Sequence, residues 1–342
     1  MRAAVYYRNS DVRLETRPVP VVGPGELLVK VLASGICGSD VLEWYRIRTA
    51  PRVLGHEIAG VVEQVGAGVE QCKPGDRVAA THHVPCNTCR YCLAGHHTVC
   101  ETLHTTSFDP GGFAEYVRIP ALQTDRGTFR LPDSVSFEEG TFIEPLGCVV
   151  RGQRHVRLAA GQSALVLGSG VSGLLHILLA RASGAGRIMA TDVNAFRLDQ
   201  ARQCGADHVF DARDDVPAAV RACNDGRGAD CVIVCTGAFS AFRQALAAVD
   251  RAGTILCFAT TEPGQDLPLP LNDFWRNSVT VTSSYAAAPA DLATALELIR
   301  AKRVAVSGLV THRLPLAETG EGFRLMADGA EASIKIVVEP QT

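Results

Sequence analysis

A chain of 342 residues is longer than one ordinary core supports and predicts two domains. Apolar residues at 47% and charged residues at 20% match a globular protein. The net charge of -3 argues against a nucleic-acid or polybasic membrane surface, and no run of 18 unbroken apolar residues suggests a membrane span.

From residue 1 to about 147 the chain reads as short strands broken by Gly and Pro: "AAVYY", "ELLVKVLASG", "AGVVEQVG", "DRVAA" and "GGFAEYVRIP". Apolar–polar alternation between turn signals predicts an all-β, barrel-like domain. Within it, "GICGSD" supplies Cys37, Ser39 and Asp40, and "LGHEIAG" supplies His56 and Glu57. His82 and His83 lie in "THHVPC", and Glu144 lies in "FIEPLG". The texture changes at about 148. "SALVLG", "RIMATD", "DHVFDA", "DCVIVCTG" and "TILCFAT" alternate with helical stretches such as "VSGLLHILLARASG" and "FRQALAAVDRAG", the pattern of a doubly wound parallel sheet. A helix in "DLATALELIRAKRV" and a strand in "ASIKIVVEP" then return to the first domain. The expected division is 1–147 with 287–342, and 148–286.

The opening stretch "MRAAVYYRNSDVRLE" lacks the apolar run of a signal peptide, so a cytoplasmic location is expected. There, clustered thiols point to metal more than to disulfides. Cys86, Cys89, Cys92 and Cys100 follow the spacing C-x2-C-x2-C-x7-C, which suits a closed, tetrahedral, structural zinc site. Cys37, His56 and a carboxylate from Glu57 or Glu144 form a candidate open zinc site, with Asp40 placed to hold the second nitrogen of His56. Cys148 and the scattered cysteines read as buried apolar residues. "LGSGVSG" places Gly168, Gly170 and Gly173 as G-x-G-x-x-G between a strand and a helix, where backbone N–H groups can approach a pyrophosphate. Asp192 ends the next strand, positioned for the ribose hydroxyls and against a 2′-phosphate, so NAD is expected over NADP despite the nearby Arg197.

Together, "CGSD", "GHE", the four-cysteine spacing, "EP" and G-x-G-x-x-G resemble the zinc-dependent medium-chain alcohol dehydrogenase family over essentially the whole chain. "CGSD" with "EPL" most resembles its sorbitol, idonate and threonine dehydrogenase branch. The resemblance implies a GroES-like β-rich catalytic domain plus a Rossmann domain, with the active site in the cleft between them. It makes Cys37, His56 and Glu144 catalytic-zinc positions, Glu57 a direct or water-mediated ligand, and the four cysteines the second zinc site. Val171 and Thr236 complete the candidate cofactor site, and Ser39 is expected to take the substrate's hydroxyl proton. Leu42 departs from the family, standing where many relatives have a relay histidine. "TSSYAAAPAD" lacks the polyol-binding arginine of sorbitol dehydrogenases.

Glu43, Trp44, Arg46, His82 and His83 are candidate substrate-pocket residues; the two histidines either face substrate or sit in a surface loop. The expected activity is hydride transfer between NAD and a secondary alcohol or ketone of a polyol, sugar acid or related compound. A threonine-type amino-alcohol dehydrogenase and a non-catalytic zinc and nucleotide-binding homologue are the alternatives. The β-rich "NSVTVTSSY" and the family imply a homodimer or homotetramer.

Overall fold

The computed structural model describes residues 1–329 and 332–342, which divide into two compact units, Met1–Gly147 with Ala286–Thr342 and Cys148–Tyr285. In the first unit, strands Arg2–Arg8, Asp11–Thr16 and Arg52–Val53 form a three-stranded sheet. A larger sheet centres on Leu27–Gly35, which pairs antiparallel with Glu57–Val65, Tyr116–Ile119 and Lys335–Glu339. Alternate side chains of these strands, including Val29, Val31, Ile58 and Val117, pack with Val78 of strand Arg77–Thr81 into one apolar core. The β-rich texture is the dominant one, but short helices such as Ala121–Gly127 and Phe137–Gly140 interrupt it. Ser136 starts the latter with a reciprocal cap to Glu139, a local signal outside strand periodicity.

The closing strand Lys335–Glu339 lies beside Leu27–Gly35, with Val337 opposite Gly35. Gly35 in turn stands opposite Glu57. Three strands distant in sequence thereby place Gly35, Glu57 and Lys335 together.

The second unit is a six-stranded parallel sheet. Numbered within the unit, its strands run 3-2-1-4-5-6, beginning with Ser163–Leu167 as the first in sequence and ending with Thr280–Ser283 as the edge. This is the doubly wound order of dinucleotide-binding domains. The first strand is buried at every position, which explains why "SALVL" is continuously apolar rather than alternating. Helices Val171–Ala182, Ala195–Gln203, Val216–Cys223 and Phe239–Ala248 connect the strands. Asp215 caps the third, with Pro217 in its first turn. Together, a GroES-like β unit and a Rossmann unit make up the fold. Among the described residues, no helix is long and apolar enough to cross a membrane.

Candidate active site and zinc centres

The four-cysteine segment has little core of its own: Cys92, Cys100 and Leu103 are its buried apolar members. Ligand atoms of Cys86, Cys89, Cys92 and Cys100 all lie within 4.8 Å of one another. Cys86 Sγ and Cys92 Sγ are 3.9 Å apart. Zinc–sulfur bonds of about 2.3 Å set a tetrahedron edge of about 3.8 Å, so the four thiols fit zinc. The Thr88 hydroxyl and the N–H groups of Thr88 and Cys89 draw the Cys86 thiol down to about 5, favouring a thiolate. Burial pushes Cys92 up to about 12, aided by neighbouring Cys89. Burial also opposes ionisation of Cys100, but the N–H groups of Cys86 and Leu103 outweigh it and lower its pKa.

The other group comprises Cys37, His56 and Glu57, whose ligand atoms also lie within 4.8 Å of one another. Cys37 precedes the tight 3-10 turn Gly38–Val41, where its sulfur accepts from the Ser39 N–H and hydroxyl at 3.4 Å. Asp40 is fully buried. Its Oδ2 accepts from Cys37 N at 3.1 Å, and its Oδ1 lies 3.5 Å from His56 Nδ1. That contact leaves Nε2 of His56 for a metal, the usual carboxylate–histidine arrangement. Burial works against a charged His56, but Asp40 and Cys37 hold its pKa well above the ordinary histidine value. Glu57 Oε2 pairs with Lys335, while the buried Oε1 has no hydrogen-bond partner. An orphaned carboxylate oxygen beside a thiol and an imidazole suits a zinc ion. A Cβ on Gly35 would run into both members of the Glu57–Lys335 pair, so glycine is needed there.

Glu144 stands outside this group. It lies in the first turn of helix Ile143–Val156 and, with Glu57 and Thr81, borders one small crevice. Glu57 therefore supplies the carboxylate of the close cluster. Arg46 donates to the backbone O and Oγ of Ser39, both at 2.9 Å, and approaches Asp40 Oδ1 at 3.3 Å. The His82 ring lies 4.7 Å from that of His56 and 3.6 Å from that of His83. Burial lowers both: His82 well below its ordinary value, helped by His83, and His83 to about 3, helped by His56. Of the other two pocket candidates, Glu43 is exposed and accepts from Asn9 N, and Trp44 packs against Tyr45. Sequence patterning does not single out Lys335, paired with Glu57, or Arg52, which lines the same pocket as His56. A lone lysine inside the apolar run "SIKIVV" was the available signal for the former.

In the second unit, Gly168 adopts φ +95°, a conformation that favours glycine. A Cβ on Gly173 would collide with the carbonyl of Gly168, and one on Gly168 would come within 3.1 Å of Thr236. Gly170 caps helix Val171–Ala182. This strand–turn–helix keeps backbone close to backbone and fits the pyrophosphate of a dinucleotide. Asp192 Oδ2 accepts from Ser169 N at 2.8 Å and Oδ1 from Asn194 N at 2.9 Å, which fixes the carboxylate beside the turn. Arg197 opens the next helix; its buried Nε has no hydrogen-bond partner.

The family described as the alcohol dehydrogenase GroES-like domain matches residues 23–133, and that described as zinc-binding dehydrogenase matches residues 172–301. Sorbitol dehydrogenase of Gallus gallus is 33% identical, covering 99% of this chain and 96% of that protein. A solved alcohol dehydrogenase of Thermus sp. ATN1 aligns with TM-score 0.89 at 29% identity, covering 99% of both chains. A structure from Sinorhizobium meliloti 1021, described as a zinc-binding dehydrogenase bound to NADP, aligns with TM-score 0.89 at 28% identity, also over 99% of both chains.

Proposed function

Since this chain belongs to the zinc-dependent medium-chain alcohol dehydrogenases, we propose that it transfers a hydride between NAD and a secondary alcohol or ketone of a polyhydroxy compound. One observation carries the reading most directly: Cys37, His56 and Glu57 converge within 4.8 Å, with the Ser39 hydroxyl 3.4 Å from the Cys37 sulfur.

Zinc bound there supplies a Lewis acid that lowers the pKa of an alcohol. Cys37, His56 and Glu57 would hold it, with Glu144 as a further carboxylate of the site. Asp40 fixes the tautomer and aim of His56. Ser39 Oγ takes the hydroxyl proton as its own proton moves on, and the Arg46 guanidinium, donating to that oxygen, holds it in position. The Arg46 guanidinium offers only donors and Leu42 carries no proton, so the proton leaves Ser39 for water or a ribose hydroxyl. The glycine turn with Val171 and Thr236 receives the dinucleotide. Asp192 accepts from the ribose hydroxyls and repels a 2′-phosphate, favouring NAD over NADP.

The four-cysteine cluster makes a second zinc ion per chain part of the proposal. The exposed Val281 on edge strand Thr280–Ser283 supports a homodimer or homotetramer. Twelve free cysteines support a reducing, cytoplasmic setting. Similarity to sorbitol dehydrogenases supports the polyol class over the amino-alcohol alternative.

The test is NADH formation by zinc-loaded protein with polyols, aldonates and amino alcohols, repeated with Ser39→Ala. We expect turnover of a polyhydroxy substrate and a loss of about 10²–10⁴-fold in kcat for the variant at unchanged zinc content. Fully metallated protein that oxidises no alcohol refutes the reading.

A further inference from the structure

The hollow beside His56 holds a positive charge that the protein leaves unanswered. Asp40, Arg46, Arg52 and His82 are among its walls. Asp40, the only acid lining it among the described residues, is already committed to Cys37 N, Arg46 and His56. Arg46 is likewise engaged, holding Ser39 through its backbone and its hydroxyl.

Arg52 differs. It sits on the two-residue strand Arg52–Val53, paired with Tyr6 of strand Arg2–Arg8, which fixes its backbone at the wall. Its side chain is half-buried, and no carboxylate among the described residues pairs with its guanidinium. Burial, then the neighbouring Arg46, lowers its pKa from the ordinary arginine value, as expected for a cation without a counter-ion. His82 adds a buried Nδ1 without a hydrogen-bond partner.

A partly desolvated guanidinium is costly until an anion meets it. We propose that Arg52 receives an anionic oxygen group of the substrate, a carboxylate or a phosphate, so that the enzyme prefers an acidic polyhydroxy compound to a neutral polyol. This deepens the dehydrogenase reading and rests on it. The planar fork of arginine suits either group, through two parallel charge-assisted hydrogen bonds. A neutral hydroxyl in the same place would accept a weaker bond and leave the charge uncompensated.

The experiment compares, on zinc-loaded wild-type enzyme with NAD, hexitols, the matching aldonates and the matching hexitol monophosphates. We expect one anionic class to exceed the neutral polyols at least tenfold in kcat/KM; which class gains separates carboxylate from phosphate. In Arg52→Met that preference should fall by about tenfold to hundredfold, chiefly through KM for the alcohol, with partial recovery in Arg52→Lys. Neutral polyols turned over as well as both anionic classes would overturn the inference on wild-type enzyme alone, leaving the dehydrogenase reading intact. So would an unchanged preference in Arg52→Met, or an effect confined to KM for NAD. Absence of turnover with every alcohol would remove both.

Discussion

Replacing Lys335 by Met isolates the buried charge pair beneath the candidate zinc site. The side chains of Lys335 and Glu57 are 0% and 1% exposed. Deleting the ammonium group strands a carboxylate whose other oxygen already lacks a partner. Breaking a buried pair from one side costs about 3–5 kcal/mol. For a unit of this size that corresponds to roughly 6–20 °C in Tm. Adding Glu57→Gln removes the stranded charge, so the double variant should recover much of the loss, and the cycle should give a coupling of at least about 2 kcal/mol. Zinc offers Glu57 a second positive partner, so the penalty of Lys335→Met should be larger after chelation than in the metal-loaded protein. Calorimetry of the wild type, both single variants and the double variant, each with and without zinc, gives the full set. A shift below about 2 °C in chelated Lys335→Met, or equal penalties in the two forms, would refute the reasoning.

Three further outcomes are expected. Cys100→Ser should lower bound zinc from about two ions per chain to about one and expose the segment 86–100 to protease, as metal analysis and limited digestion would record. Asp192→Asn removes the negative charge while keeping one acceptor for Ser169 or Asn194, and should lower the NAD-to-NADP ratio of kcat/KM by about tenfold or more. The third concerns His176, fully buried with Nδ1 accepting from Gln153, whose pKa burial lowers to about 3. The unfolded ring, with its ordinary pKa near 6.5, binds the proton first. Its stability contribution is therefore present above about pH 6.5 and lost as pH falls towards 3, the loss amounting to about 1 kcal/mol at pH 5.5. Urea unfolding at pH 7.5 and 5.5 should show that difference in the wild type, smaller by about that amount in His176→Gln.

What the sequence disclosed follows the range over which each constraint acts. The four cysteines fall within fifteen residues, and the glycine turn is imposed by local sterics: Gly168 at φ +95° and the contact of Gly173 with its carbonyl. Both were legible as spacing. The parallel sheet was legible because burial on both faces makes its central strands, Ser163–Leu167 and Ala229–Val234, almost continuously apolar. The carboxylate beside Cys37 and His56 was harder. Neighbouring side chains on a strand point to opposite faces, but His56 lies just before strand Glu57–Val65 begins, so alternation does not separate it from Glu57. Glu144 looked equally eligible in the sequence because its distance from the cluster depends on how helix Ile143–Val156 packs. Lys335 and Glu57 meet across 278 positions, beyond any local pattern. Arg52 carried no signal because what matters about it is the counter-ion it lacks.

The strand Lys335–Glu339 has a consequence for biosynthesis. A nascent chain leaving the ribosome carries Glu57 early, but the lysine that neutralises it appears only after the entire 148–285 unit has been translated. Closing a loop of that length is slow as well as late. Until then, the half-made catalytic unit lacks the strand that closes its sheet beside Gly35, whereas the four-cysteine loop is complete at residue 100, so newly made chains should capture zinc at that loop before they acquire it at Cys37.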